Sequence, residues 1–131
     1  MGAFLPEGSM GLQRKIDQRA EYVADAKSSA FLDAVYTILR YNKKIWSFDQ
    51  KLPPISAEEI LRDFSQEEFD RCRGRCAELE KAAGDVAMAE YGYAGCTQSY
   101  DEAYKQFVEM NPDFSDASRG AALWNARIAF R

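Results

Sequence analysis

The sequence predicts an all-α fold: a small bundle of five to six mostly antiparallel helices with a long N-terminal helix. Three observations lead there. Apolar residues recur three, four or seven apart along most of the chain, the period of an amphipathic helix. Nothing alternates with period two for long enough to build a sheet. Ser-x-x-Glu boxes at Ser56–Glu59, Ser65–Glu68 and Ser99–Glu102 mark helix starts, each placing a side-chain acceptor over an orphan backbone N–H. With 131 residues, 47% of them apolar and 29% charged, the chain suits one ordered domain. It reads as a flexible arm over 1–10 and a single helical domain over 11–131.

The arm carries Gly2, Pro6 and Gly8 and little periodicity. From Leu12 a stripe begins: Leu12, Ile16, Val23, Ala26, Ala30, Ala34, Ile38 and Ile45. No proline or glycine interrupts the stretch from Leu12 to Gln50, and its phase survives the weak point at Ser28-Ser29. One unbroken helix here would run about 55 Å, against a diameter near ~36 Å for a compact domain of this length. It must overhang, break near Ser28, or pack on a second chain. Its halves also differ. Up to Lys27 the stripe is narrow and suits a two-helix seam. Beyond Ala30 it widens to include Phe31, Leu32, Val35, Tyr36, Leu39, Tyr41, Trp46 and Phe48, the face of a central core helix.

Pro53-Pro54 ends this element, since neither residue can continue a helix. The Ser56 box opens a short helix with Ile60, Leu61 and Phe64 on its apolar side. The Ser65 box opens a longer one whose stripe runs Phe69, Cys72, Cys76, Leu79, Ala83 and Val86. Gly74 and Gly84 either weaken it by ~1 kcal/mol each or mark the close approach of another backbone. The run Gly92-Tyr-Ala-Gly95 stops it. The Ser99 box starts a helix closed by Asn111-Pro112, and a last helix starts near Asp113 or Ser115. Tyr100-Asp-Glu-Ala103, Phe107 and Asn111-Pro112 resemble the second-helix half of a tetratricopeptide repeat. The proline falls early for that family and no second copy follows at its period, so no function is carried over.

The composition excludes much chemistry. There is no histidine, which removes Ser-His-Asp and Cys-His catalysis and mixed Cys/His zinc sites. Cys72, Cys76 and Cys96 are too few and too odd in number for a disulfide scaffold. The first two lie on the apolar stripe and read as reduced core cysteines. No metal ligands and no cofactor are expected. No apolar run is long enough to cross a membrane, and the first residues lack a continuous signal-peptide core. A cytoplasmic protein without membrane association is the reading.

The net charge is −4, which disfavours a generic nucleic-acid binder. The charge is unevenly spread: residues 1–51 carry +2 and residues 52–131 carry −6. Arg40, Lys43, Lys44 and Lys51 surround Trp46 and Phe48, but positive charge at a helix C-terminus is expected anyway. Glu58, Glu59, Asp63, Glu67, Glu68 and Asp70 form an acidic cluster, mostly in the first turns of capped helices, where the helix dipole favours them. Arg71, Arg73 and Arg75 fall on different helix faces, with Glu67 to Arg71 as an expected ion pair. The loop Tyr91–Cys96 lacks the spacing of a phosphate-binding turn.

No nucleophile–base pair assembles from these residues, so an enzyme is not expected. The anomaly is geometric: the N-terminal helix has more apolar stripe than one small bundle covers. The expected function is therefore non-enzymatic protein–protein interaction, as a small adaptor, chaperone or assembly factor self-associating through that helix. Leu12, Ile16 and Val23 supply the apolar contact, with a protein partner or a second copy as occupant. An acidic inhibitor of a basic enzyme, of the immunity or anti-defence kind, is the alternative, with Glu58, Glu59, Asp63 and Glu67 on its contact surface. A small-ligand or metal-binding bundle is the third reading, its ligand residues unknown.

Overall fold

The structure, a computed structural model, describes residues 7–92 and 98–129, with side chains from residue 11 onward. Within these residues the secondary structure is helical, and the protein is a small all-α helical bundle. Six α-helices follow one another among the described residues: α1 Glu7–Lys27, α2 Phe31–Lys44, α3 Ala57–Ile60, α4 Gln66–Tyr91, α5 Tyr100–Met110 and α6 Asp116–Ala129. A 3-10 turn at Trp46–Phe48 follows α2. The chain divides into two compact units, Met1–Ser65 and Gln66–Arg131. None of the described helices is long and apolar enough to cross a membrane.

Of the three fates open to the stretch after Leu12, the structure adopts the break. It does so without glycine or proline. The Ser28 and Ser29 hydroxyls both donate to the Asp25 carbonyl, at 3.0 and 2.7 Å, and occupy an acceptor of the last helical turn. The Ser29 N–H tightens onto Ala26 O at 3.2 Å, and Ala30 then turns extended at φ −63°, ψ 160°. Helix α1 begins at Glu7, inside the segment expected to be a loose arm. Residues 1–6 of that arm lie outside the described residues.

In the first unit, α2 forms the core, as its wide apolar face predicts. Ala34, Val35, Tyr36, Ile38 and Tyr41 are buried, joined by Ile55 and Leu61 from the segment beyond the prolines. Asn42 fastens that segment to α2. Its side-chain amide donates to Ile55 O and its carbonyl accepts from Ile55 N, both at 2.9 Å. Helix α1 packs on α2 with contacts in reverse sequence order. The Tyr22 and Tyr41 rings lie 5.3 Å apart, and Lys15 pairs with Asp49. The Arg40 guanidinium sits over both the Tyr22 and Tyr36 rings, at 5.5 and 5.4 Å. Its Nε is buried and makes no hydrogen bond among the described residues.

In the second unit, α4 packs on α5 and α6. Cys76, Leu79, Ala83, Val86 and Ala87 are buried along α4, against Phe107, Phe114, Ala122 and Leu123. Arg75 pairs with Glu78 on its own helix at 3.7 Å and also reaches beyond it. Its guanidinium reaches Asp113 through two bonds of 2.9 and 2.8 Å, Asn111 Oδ1 at 2.8 Å and Met110 O at 2.9 Å. It also lies 5.1 Å from the centre of the Phe114 ring. Buried Asn111 in turn donates to Phe107 O at 2.7 Å, so the Asn-Pro turn is fixed from both sides. Helix α4 ends at Gly92, whose φ of +65° is the left-handed conformation that a helix-terminating glycine supplies without strain.

Candidate functional site

The exposed face of α1 is where the sequence places partner contacts, and the structure puts an open groove there. Its volume is about 480 Å³. Ile16, Ala20, Val23 and Ala24 form its α1 side, and Leu52 and Pro53 form the opposite wall. Helical spacing decides which side chains meet: residues 16, 20 and 23 stand on one face, with Leu12 one turn earlier. Folding back onto α2 does not cover this face. Leu12 remains 39% exposed and Ile16 41%, while Val23 is half-buried.

The far wall is held by a residue that sequence reasoning passed over. Arg19 donates from Nε to Pro53 O and from Nη2 to Pro54 O, both at 2.9 Å. The same guanidinium grips Glu59 in a two-pronged pair of 3.0 and 2.9 Å. One side chain on α1 therefore fixes both the proline segment and the first turn of α3. The prolines make this need, since they contribute carbonyls but no backbone N–H. Nothing in the sequence says which of the chain's arginines answers it.

Glu59 itself does two jobs. The Ser56 hydroxyl accepts from the Glu59 N–H at 3.2 Å, as the capping box predicts. The Arg19 guanidinium, hydrogen-bonded to its carboxylate, holds the carboxyl below its ordinary value against the opposing effect of burial. The Arg19 charge, the Ser56 backbone N–H and Lys27 add to the lowering. Tyr41, beneath α1, is pushed the other way: burial raises its phenol, and the nearby Arg19 charge opposes that rise. Next to the groove, Lys27, Glu58, Glu59 and Arg62 line a polar recess of about 490 Å³.

The predicted contact residues thus separate. Ile16, Val23 and Glu59 converge on the groove, Leu12 extends its apolar edge, and Glu58 lines the adjoining recess. Asp63 stands in the loop after α3 with φ +51°, a left-handed conformation that aspartate tolerates better than most residues. Glu67 lies in the first turn of α4, in the second unit. The acidic cluster is not one surface of free carboxylates: Glu59 is bound to Arg19, and Asp70 accepts from Arg73 at 3.1 Å and Gln66 at 3.0 Å.

Among the described residues, the two cysteines Cys72 and Cys76 show no reactive site. Cys76 is buried, and burial pushes the half-buried Cys72 thiol up, which disfavours the nucleophilic thiolate. Cys96, and most of the Tyr91–Cys96 loop, lies outside the described residues. Among the described residues no three His, Cys, Asp or Glu side chains come together as a metal site. The chain matches no family model, no curated protein and no solved structure.

Proposed function

We propose that this chain is a non-enzymatic protein-interaction protein: a small cytoplasmic adaptor, chaperone or assembly factor that self-associates through α1. One observation carries the reading. The apolar edge of α1 stays about two-fifths exposed after its own unit has closed, and it borders an open groove of about 480 Å³. Covering an Ile or Leu side chain is worth ~1.5–3 kcal/mol in full, so two partly exposed ones and Val23 support a weak to moderate seam. The acidic-inhibitor reading has less to work with, because Glu59 and Asp70 are already engaged within the chain.

Replacing Ile16 and Val23 together by glutamate tests the proposal. Both positions face the groove, so the double variant keeps its far-UV helicity while its sedimentation mass falls to that of a single chain. An unchanged mass at matched concentration removes the α1 face from the association.

A further inference from the structure

The other face of α1, the one that docks on α2, leads beyond this reading. Seven residues of α2 are buried, Asp33, Ala34, Val35, Tyr36, Thr37, Ile38 and Tyr41, whereas among the described side chains of α1 Ala26 is buried in the core. Helix α1 is held by its packing on α2 and by several contacts that are polar or directional. These are the Arg19 grip on Pro53, Pro54 and Glu59, the Lys15–Asp49 pair, and the Tyr22 ring between Tyr41 and Arg40. A small apolar contact and a few directional ones make a helix that can leave its site and be replaced by an identical one.

The hinge favours the same conclusion. Ser28, Ser29 and Ala30 hold the break with two serine hydroxyls on the Asp25 carbonyl and one extended residue. None of the three forbids a helix, and the apolar stripe keeps its phase across them, with Ala26, Ala34 and Ile38 all buried. Straightening the hinge would let carbonyls in the last turn of α1 and N–H groups in the first turn of α2 pair within one helix.

We infer that two copies of this chain exchange α1: the hinge straightens, α1 and α2 become one continuous helix, and each α1 docks on the partner copy's α2. Every closed contact is remade in trans. The balance therefore rests on association entropy against the backbone hydrogen bonds gained at the hinge. The exchange involves the buried face of α1, so it stands or falls separately from association through the exposed face.

Arg19→Glu and Glu59→Arg form the discriminating pair. Each variant alone sets like charges against each other at the clamp, in its own fold and in a dimer with itself. A mixed exchanged dimer relieves the like-charge repulsion at both clamps, although the reversed one lacks the donor to the Pro53 and Pro54 carbonyls. At one, the two substituted side chains meet with their charges reversed; at the other, the native Arg19 of one copy meets the native Glu59 of the other. Mixing equimolar variants after a heating and cooling cycle should therefore double the sedimentation mass, while each alone under the same cycle stays at the single-chain mass. A mixture that stays at the single-chain mass overturns the exchange. Both variants also carry Ile16→Glu with Val23→Glu, which silences the exposed face, so a mass doubled equally with and without mixing overturns it too.

The hinge gives a second measurement in the otherwise native chain. Ala30→Pro suits the break, where φ is −63°, but obstructs a continuous helix, so it should weaken exchanged dimerisation about 100-fold or more. Ser28→Ala with Ser29→Ala should strengthen it. Dimerisation indifferent to both sets of hinge variants overturns the proposal even if a clamp variant fails to fold.

Discussion

Arg19 shows how one side chain can define a site without belonging to any motif. Its guanidinium makes four hydrogen bonds, two to proline carbonyls and two to Glu59, and so sets the position of Leu52 and Pro53 across from Ile16 and Val23. The Glu59 end carries a pH dependence whose sign follows from its lowered carboxyl. The folded state holds the deprotonated form more tightly than the unfolded chain does. The resulting stability is present above the unfolded value of 4.5 and drains away as pH falls through the lower folded one. Glu59→Gln should thus cost about 1 kcal/mol at neutral pH, the modest worth of a partly solvated pair. Urea unfolding should show the gap between variant and native protein closing well below pH 4.5. A gap that persists there would assign the loss to packing rather than charge.

Among the helices, the capping boxes at Ser56 and Ser99 behave as their local chemistry dictates, with serine hydroxyls accepting from Glu59 N and Glu102 N at 3.2 and 3.3 Å. Both readings of Gly74 and Gly84 were open from sequence. The structure leaves nothing within 4 Å of a Cβ built at either position, so no neighbouring backbone requires them. Gly74→Ala and Gly84→Ala should each stabilise α4 by ~0.5–1 kcal/mol through the unfolded chain's lost freedom. A raised midpoint in thermal or urea melts is the expected result, and a lowered one would reveal a contact that α4 makes with something beyond its own unit. The α1–α2 break is harder to read, because its serines are tolerated inside a helix and cap its end equally well. The period of the stripe is the same in both cases.

For the molecule as a whole, charge is spread so that close contacts absorb much of it. Arg40 lies between two rings, Arg75 on Asp113, Arg127 on Glu90 at 3.0 Å, and Arg19 on Glu59. Apolar surface open to association includes the edge of α1, and Phe48, Met110, Trp124 and Ile128 are more exposed still. In an exchanged dimer the ionic contacts are the same as in the single chain and cancel from the equilibrium. Self-association should therefore change less than about threefold as ionic strength is raised enough to shorten the Debye length from ~30 to ~10 Å. Sedimentation equilibrium at low and moderate salt measures this directly. A steep loss with salt would instead indicate an electrostatically steered contact through Glu58, Asp63 and Glu67.

The amino-acid order alone determined the helical class, the wide face of α2 and the starts of α3 and α5, whereas α2 ends at Lys44 and not at the prolines. Each feature so determined follows from periodicity or from a side chain acting within one turn of its own backbone. It also marked Ile16 and Val23 as surplus apolar surface. Only tertiary structure decided that the N-terminal stretch bends at Ser28–Ala30, that Arg19 answers the prolines, and that Arg75 reaches beyond its own helix to the Asn111 turn. Those choices join residues 34 to 40 positions apart in one case and 35 to 38 in the other. A local pattern specifies a donor or an acceptor, but folding selects which of several equivalent partners it meets.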